Sequence, residues 1–184
     1  MNEIINNGKE VIRIEAEAIA DLQNSINEDF VNAVETIFTS SGRVVLTGMG
    51  KSGLIARKIV ATLNSTGTAA IYLHPTDALH GDLGMVRSED VVILISKSGE
   101  TEEISNLLPM LKRLNVKLIA MSGNKESKLA KECDIFLNIA VKEEACPYDL
   151  APTASTTATL ALGDALAVSL LKKRNFTAKD FAFL

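Results

Sequence analysis

The sequence predicts an α/β protein: a three-layer α/β/α sandwich around a five-stranded parallel sheet, flavodoxin- or Rossmann-like, with extra helices at its N-terminus. Three observations carry this. Five short, almost wholly apolar runs read as strands buried on both faces, and stretches of helical periodicity alternate with them. Residues suited to chemistry also follow one strand after another, where open parallel sheets hold their ligands. In chain order, Ile12, Ile19, Leu22 and Ile26 mark a first helix and Val31, Val34 and Phe38 a second, both before the first strand. The strands are Arg43 to Thr47, Ala69 to Leu73, Val91 to Ile95, Lys117 to Met121 and Ile135 to Val141. Between them, Leu54 to Leu63 and Glu103 to Leu114 carry apolar residues at three- and four-residue spacing, the pattern of helices packed on a sheet. Thr153 to Leu171 is long and nearly uncharged, but its Ala, Thr and Ser residues, Gly163 and Asp164 fit a buried helix better than a membrane span.

With 184 residues, 47% of them hydrophobic, the chain can bury a full core, and no repeat or linker divides it, so residues 1–184 read as a single domain. A net charge of -4, few aromatics and no basic cluster beyond Lys172-Lys173-Arg174 argue against a nucleic-acid surface and for a small partner. Cys133 and Cys146 lie in a sequence whose opening, Met1-Asn2-Glu3, lacks the form of a secretory signal, so the expected setting is the reducing cytoplasm.

The most informative segment is Ser96-Lys97-Ser98-Gly99-Glu100-Thr101, between an apolar strand and a helix. Ser96, Ser98 and Thr101 can donate to phosphate oxygens, Gly99 permits close backbone approach, and the helix start adds free N–H groups. Gly48, Gly50 and Gly53 satisfy the dinucleotide pattern G-x-G-x-x-G, but the second strand ends in Tyr72, Leu73 and His74 where a ribose-binding carboxylate belongs. A nucleotide P-loop fails because Val45 stands where its first glycine is required. The turn therefore presents Gly50, Lys51 and Ser52 to a small anion. His74 and His80 share one loop with Asp77 and Asp82, in a spacing that matches no zinc signature, so no metal is expected. His80 is the better proton carrier, and His74, before Pro75, reads as structural. Glu143 and Glu144 leave a strand end, where partial burial raises a carboxyl toward a useful base. Thr153, Ser155, Thr156 and Thr157 then crowd hydroxyls at a second helix start.

These residues resemble sugar isomerase (SIS) domains and, within them, the D-arabinose 5-phosphate isomerase family. The resemblance rests on Gly48-Met49-Gly50-Lys51-Ser52-Gly53, on His74-Pro75 through Ala78-Leu79-His80-Gly81-Asp82-Leu83-Gly84-Met85, on Ser98-Gly99-Glu100, and on Glu144-Ala145-Cys146-Pro147 through Leu150-Ala151-Pro152-Thr153. It implies the SIS fold and reversible interconversion of D-ribulose 5-phosphate and D-arabinose 5-phosphate through a cis-enediol, without metal or organic cofactor, at the start of 3-deoxy-D-manno-octulosonate and lipopolysaccharide synthesis. Lys51, His80, Glu103 and Glu144 fall at the family's catalytic positions. Ser52, Ser96, Ser98, Thr101, Ser155 and Thr156 fall in or beside its phosphate-binding segments. The resemblance also implies a homotetramer, built on Thr153 to Leu171 and the N-terminal helix. Family members usually continue into a His-Pro-Gly-Gly motif and a pair of CBS modules; this sequence ends at Phe183-Leu184, before that histidine. A regulatory SIS domain that binds a sugar phosphate without turning it over is the alternative.

Overall fold

In the computed structural model, which describes residues 2–182, the order of elements is that of a doubly wound α/β domain. Phe183 and Leu184, after which the family's histidine motif would follow, lie outside the described residues. Two helices come first, α1 (Asn2–Asp21) and α2 (Glu28–Thr39), the second capped by Asn27, whose side chain accepts from the N–H groups of Asp29 and Phe30. The strands are β1 (Val44–Gly48), β2 (Ala70–Tyr72), β3 (Val91–Ile95), β4 (Lys117–Ser122) and β5 (Ile135–Asn138). All pair in parallel, in the order β2-β1-β3-β4-β5. The predicted sheet is thus present with small differences at its ends. β5 stops at Asn138 rather than Val141 because the Asn138 side chain accepts from Ala140 N (2.9 Å) and turns the chain out of the ladder.

The remaining helices are α3 (Gly50–Ser65), α4 (Pro75–Leu79), α5 (Glu102–Arg113), α6 (Lys128–Glu132), α7 (Ala154–Lys173) and α8 (Ala178–Phe181). Two cores lie on the two faces of the sheet. One joins Leu46, Ile93 and Ile119 to Ile37 of α2, Ile59 of α3 and Leu162 and Leu166 of α7; the other joins Val92, Leu94 and Leu118 to Leu107, Leu108 and Leu111 of α5. Neighbouring residues within each strand serve opposite cores, which is why the strands read as unbroken apolar runs. Cys133 packs against the second core, where burial pushes its thiol up to about 12, and both cysteines are free.

The long apolar segment is a core helix. α7 packs against α1, α2 and α3, Gly163 brings it so close to α3 that an added Cβ would overlap Ile59, and Asp164 pairs with Lys58 of α3 at 2.6 Å. At the β2 margin of the sheet, Asn64 accepts from Ala70 N (2.8 Å) and donates to Ala70 O (3.0 Å).

Candidate active site

β1 leads over to β2 on one side of the sheet, and β3 leads to β4 on the other, so the chain diverges at the carboxyl ends of β1 and β3. Gly48 and Ile95 are register partners there, and α3 and α5 begin within a few residues of them. Neither helix has a side-chain cap, although Met49 and Thr101 occupy the cap positions. Two helix N-termini with free N–H groups flank one crevice, an arrangement that favours an anion. The glycine-rich turn is tighter than a loop: Gly50, at φ +56, opens α3, so Lys51, Ser52 and Gly53 form its first turn. An added Cβ on Gly53 would lie 2.6 Å from Gly48 O and from Tyr72 Oη. Tyr72 donates to Gly48 O at 2.8 Å, at the end of the strand where a dinucleotide fold would place its carboxylate.

The hydroxyl turn closes on itself. Ser96 and Thr101 share a hydrogen bond of 2.8 Å between their hydroxyls, Gly99 N donates to Ser96 Oγ at 3.0 Å, and Glu100 N donates to Ser98 Oγ at 3.2 Å. Support comes from the loop after β4, which no sequence motif marks. Gly123 N donates to Lys97 O (2.9 Å) and Ser127 lies directly beneath Gly99, which adopts φ +71. The helix that follows puts Glu102 and half-buried Glu103 in its first turn.

His74 and His80 bracket α4, which packs on α5, as its N- and C-cap residues. His80 is exposed. His74 is half-buried; its Nδ1 has no hydrogen-bond partner and lies 3.9 Å from Asp77 Oδ1, beyond bonding distance.

Glu144 differs most from expectation. Its side chain is fully covered. Burial pushes its carboxyl up, but donors more than offset this: Lys97 Nζ at 2.6 Å on Oε1, then Thr153 N at 2.8 Å, Ser155 N at 3.1 Å and Thr153 Oγ1 at 3.2 Å on Oε2. The result is a carboxyl lowered to about 2, opposite to the rise anticipated for a base. The start of α7 is therefore occupied by the chain's own carboxylate, and Thr153 Oγ1 also accepts from Ala145 N (2.9 Å) while Thr156 Oγ1 donates to Thr153 O (2.7 Å). Since the folded value lies below the ordinary 4.5, this group's stabilisation is complete above about 4.5 and is lost as pH falls toward 2. Glu144→Gln places an amide against donors, which costs on the order of 1–3 kcal/mol at neutral pH. Melting temperature against pH for the two proteins checks this: the curves converge below pH 4, and parallel curves would refute it.

The predicted residues thus fall into two groups. Gly50, Lys51, Ser52, Ser96, Ser98, Thr101 and Glu103 gather around the β1/β3 crevice, with His80 on the neighbouring α4. Glu144, Thr153, Ser155 and Thr156 cluster at the start of α7, joined to the first group through Lys97, a residue of the hydroxyl turn to which the sequence reading gave no role. A groove of about 850 Å³ lined by Arg43, Ile71, Met85, Arg87 and Asp90 holds none of them.

The fold is a doubly wound α/β domain with two helix starts lacking side-chain caps at its switch point. The SIS domain family profile matches residues 37–169, and the chain belongs to that family. It is 57% identical over 175 residues to the arabinose 5-phosphate isomerase KdsD of Salmonella typhi, covering 95% of this chain and 53% of the relative. It is 52% identical over 181 residues to KdsD of Pseudomonas aeruginosa PAO1, covering 98% and 56%. The chain spans about half the length of these curated relatives. Among solved structures, the E. coli CFT073 protein c3406 in complex with arabinose 5-phosphate superimposes with a TM-score of 0.95 at 43% identity, covering 99% of this chain and 97% of that one.

Proposed function

We propose that the chain is an aldose–ketose isomerase interconverting D-ribulose 5-phosphate and D-arabinose 5-phosphate. The observation that carries this is the pair of uncapped helix starts at the β1/β3 crevice, with a lysine in the first turn of one and a carboxylate in the first turn of the other. The 57% identity to KdsD isomerases and the likeness to a structure holding arabinose 5-phosphate support the substrate. The phosphate sits at the turn of Ser96, Ser98 and Thr101, with Ser52 opposite. Glu103 takes a proton from C1 of the ketose, and the C–H electron pair forms the C1–C2 double bond as charge moves to O2. Lys51 stabilises that oxyanion, and His80 relays protons between O2 and O1. Glu103 then returns the proton to C2 and the C1 carbonyl forms, so nothing is gained or lost. Glu144, fully engaged by its donors, shapes the site, and Ser155 and Thr156 act with it at the start of α7.

The reading places the reaction in the cytoplasm, feeding lipopolysaccharide synthesis, in a homotetramer. The tetramer's apolar surface falls to α1 and its continuation, together with the part of α7 the core leaves uncovered, such as Val168. Ile5, Ile12 and Ile19 of α1, at seven-residue spacing, are 49%, 69% and 43% exposed, the period of a helix seam, and Ile26 beyond the helix is 47% exposed. Light scattering at micromolar concentration is expected to return four times the monomer mass; a monomer would refute the assembly.

The deciding experiment measures formation of D-arabinose 5-phosphate from D-ribulose 5-phosphate, with the ligand-induced melting shift read on the same samples. Turnover supports the isomerase. A melting shift without turnover supports the regulatory reading, which the locked state of Glu144 favours.

A further inference from the structure

Lys97 stands between the two groups of site residues. Its backbone belongs to the hydroxyl turn, pinned by Gly123 N at 2.9 Å and Ser122 Oγ at 3.3 Å on its carbonyl. Its side chain leaves that turn, crosses the end of β4 and meets Glu144, from the loop after β5, at 2.6 Å. The Lys97 side chain is 48% exposed, whereas that of Glu144 is fully covered. Burial of a carboxylate is tolerated only when charge and hydrogen bonds compensate it. The backbone and hydroxyl donors on Oε2 supply hydrogen bonds; the compensating charge comes from Lys97, the one cation paired with Glu144 among the described residues. Of the other titratable groups near Glu144, Lys142 pairs with Asp21 of α1 at 2.8 Å, Glu143, Cys146, Tyr148 and Asp149 line the same groove, Asp149 accepts from Glu144 N at 3.0 Å, and Glu15 of α1 reaches the first turn of α7 through Thr157 Oγ1.

We propose that Lys97 is a positioning residue of the site: its ion pair holds Glu144 ionised against the first turn of α7 and thereby ties the loop after β5 to the phosphate turn after β3. The role rests on the isomerase reading for its effect on turnover, but the coupling itself is a property of the chain. With Lys97 removed, Glu144 gains a proton at higher pH, its grip on Thr153 and Ser155 weakens, and the two halves of the site lose their shared reference.

A double-mutant cycle tests this with K97M, K97R, E144Q and K97M/E144Q, read by melting temperature against pH and, where turnover is present, by kcat and KM. K97M is expected to be less stable than the parent at neutral pH and to lose less stability between about pH 4.5 and 2, so that the two curves converge in acid, and K97R to restore the parent's curve. K97M is also expected to lower kcat about tenfold, with a smaller change in KM. In the E144Q background K97M should change neither curve nor kcat, because Lys97 acts through Glu144. An undiminished effect of K97M in E144Q, or a K97M curve superimposable on the parent's, would overturn the proposal. Lack of turnover in the parent chain would count against the isomerase reading alone, since the stability cycle stands without it.

Discussion

Glu103→Gln is expected to lower kcat at least about 100-fold, the lower end of what a positioned general base contributes. Glu103 is the carboxylate left for proton transfer once Glu144 is committed to its donors. It sits half-buried in the first turn of α5, beside the hydroxyl turn. Gln keeps the shape and loses the ability to take a proton. The fold should hardly respond: loss of one negative charge at a helix start costs about 0.3–1 kcal/mol. Steady-state kinetics beside a melting curve give the answer. A variant of normal stability and near-normal kcat would dismiss Glu103 as the base, and collapse of kcat in Glu144→Gln alone would transfer the role.

A large loss of stability from a single methyl group is expected at Gly99. The residue adopts φ +71, which alone costs a non-glycine residue about 1–2 kcal/mol, and a Cβ there would overlap the Oγ and Cβ of Ser127. Ser127 cannot yield easily, because its side chain accepts from Ala130 N as the cap of α6 and donates to Asn124 O at 2.6 Å. Gly99→Ala should therefore cost about 3 kcal/mol in total, or roughly 6–12 °C in melting temperature for a chain of this size. Ligand stabilisation should fall with it, since Gly99 N also closes the turn onto Ser96. A thermal unfolding scan with and without D-arabinose 5-phosphate measures both. A variant within about 2 °C of the parent would show that the turn and the loop after β4 part readily.

The sheet was readable because each strand is buried on both faces, which leaves an unbroken run of Val, Ile and Leu that local sequence displays directly. The succession of chemistry-bearing residues after the strands was readable too, but that β1 and β3 flank the crevice follows from the strand order β2-β1-β3-β4-β5, which local sequence does not display. Nor does local sequence display a bond between distant loops. Lys97 and Glu144 are 47 positions apart, and nothing near either announces the other. Burial of Glu144 was foreseeable from its exit from a strand, but the sign of its shift depends on donors from Thr153, Ser155 and Lys97 that only the folded chain assembles. The loop after β4 carries no local signal because its contribution is a carbonyl contact and a serine beneath a glycine. α7 was legible as a buried helix through Asp164 and Gly163, and the fold packs it on α1, α2 and α3.

Asn64 has a bearing on how the protein behaves when crowded. In a parallel ladder alternate residues turn their amides away from the neighbour, and at β2 the one so turned is Ala70, between Ala69 and Ile71. By giving Ala70 both an acceptor and a donor, a side-chain amide occupies the slot into which a stray polypeptide would otherwise zip. With only three residues in that strand, one such plug leaves little open template, and the domain gains resistance to fibre-like self-propagation without a sixth strand.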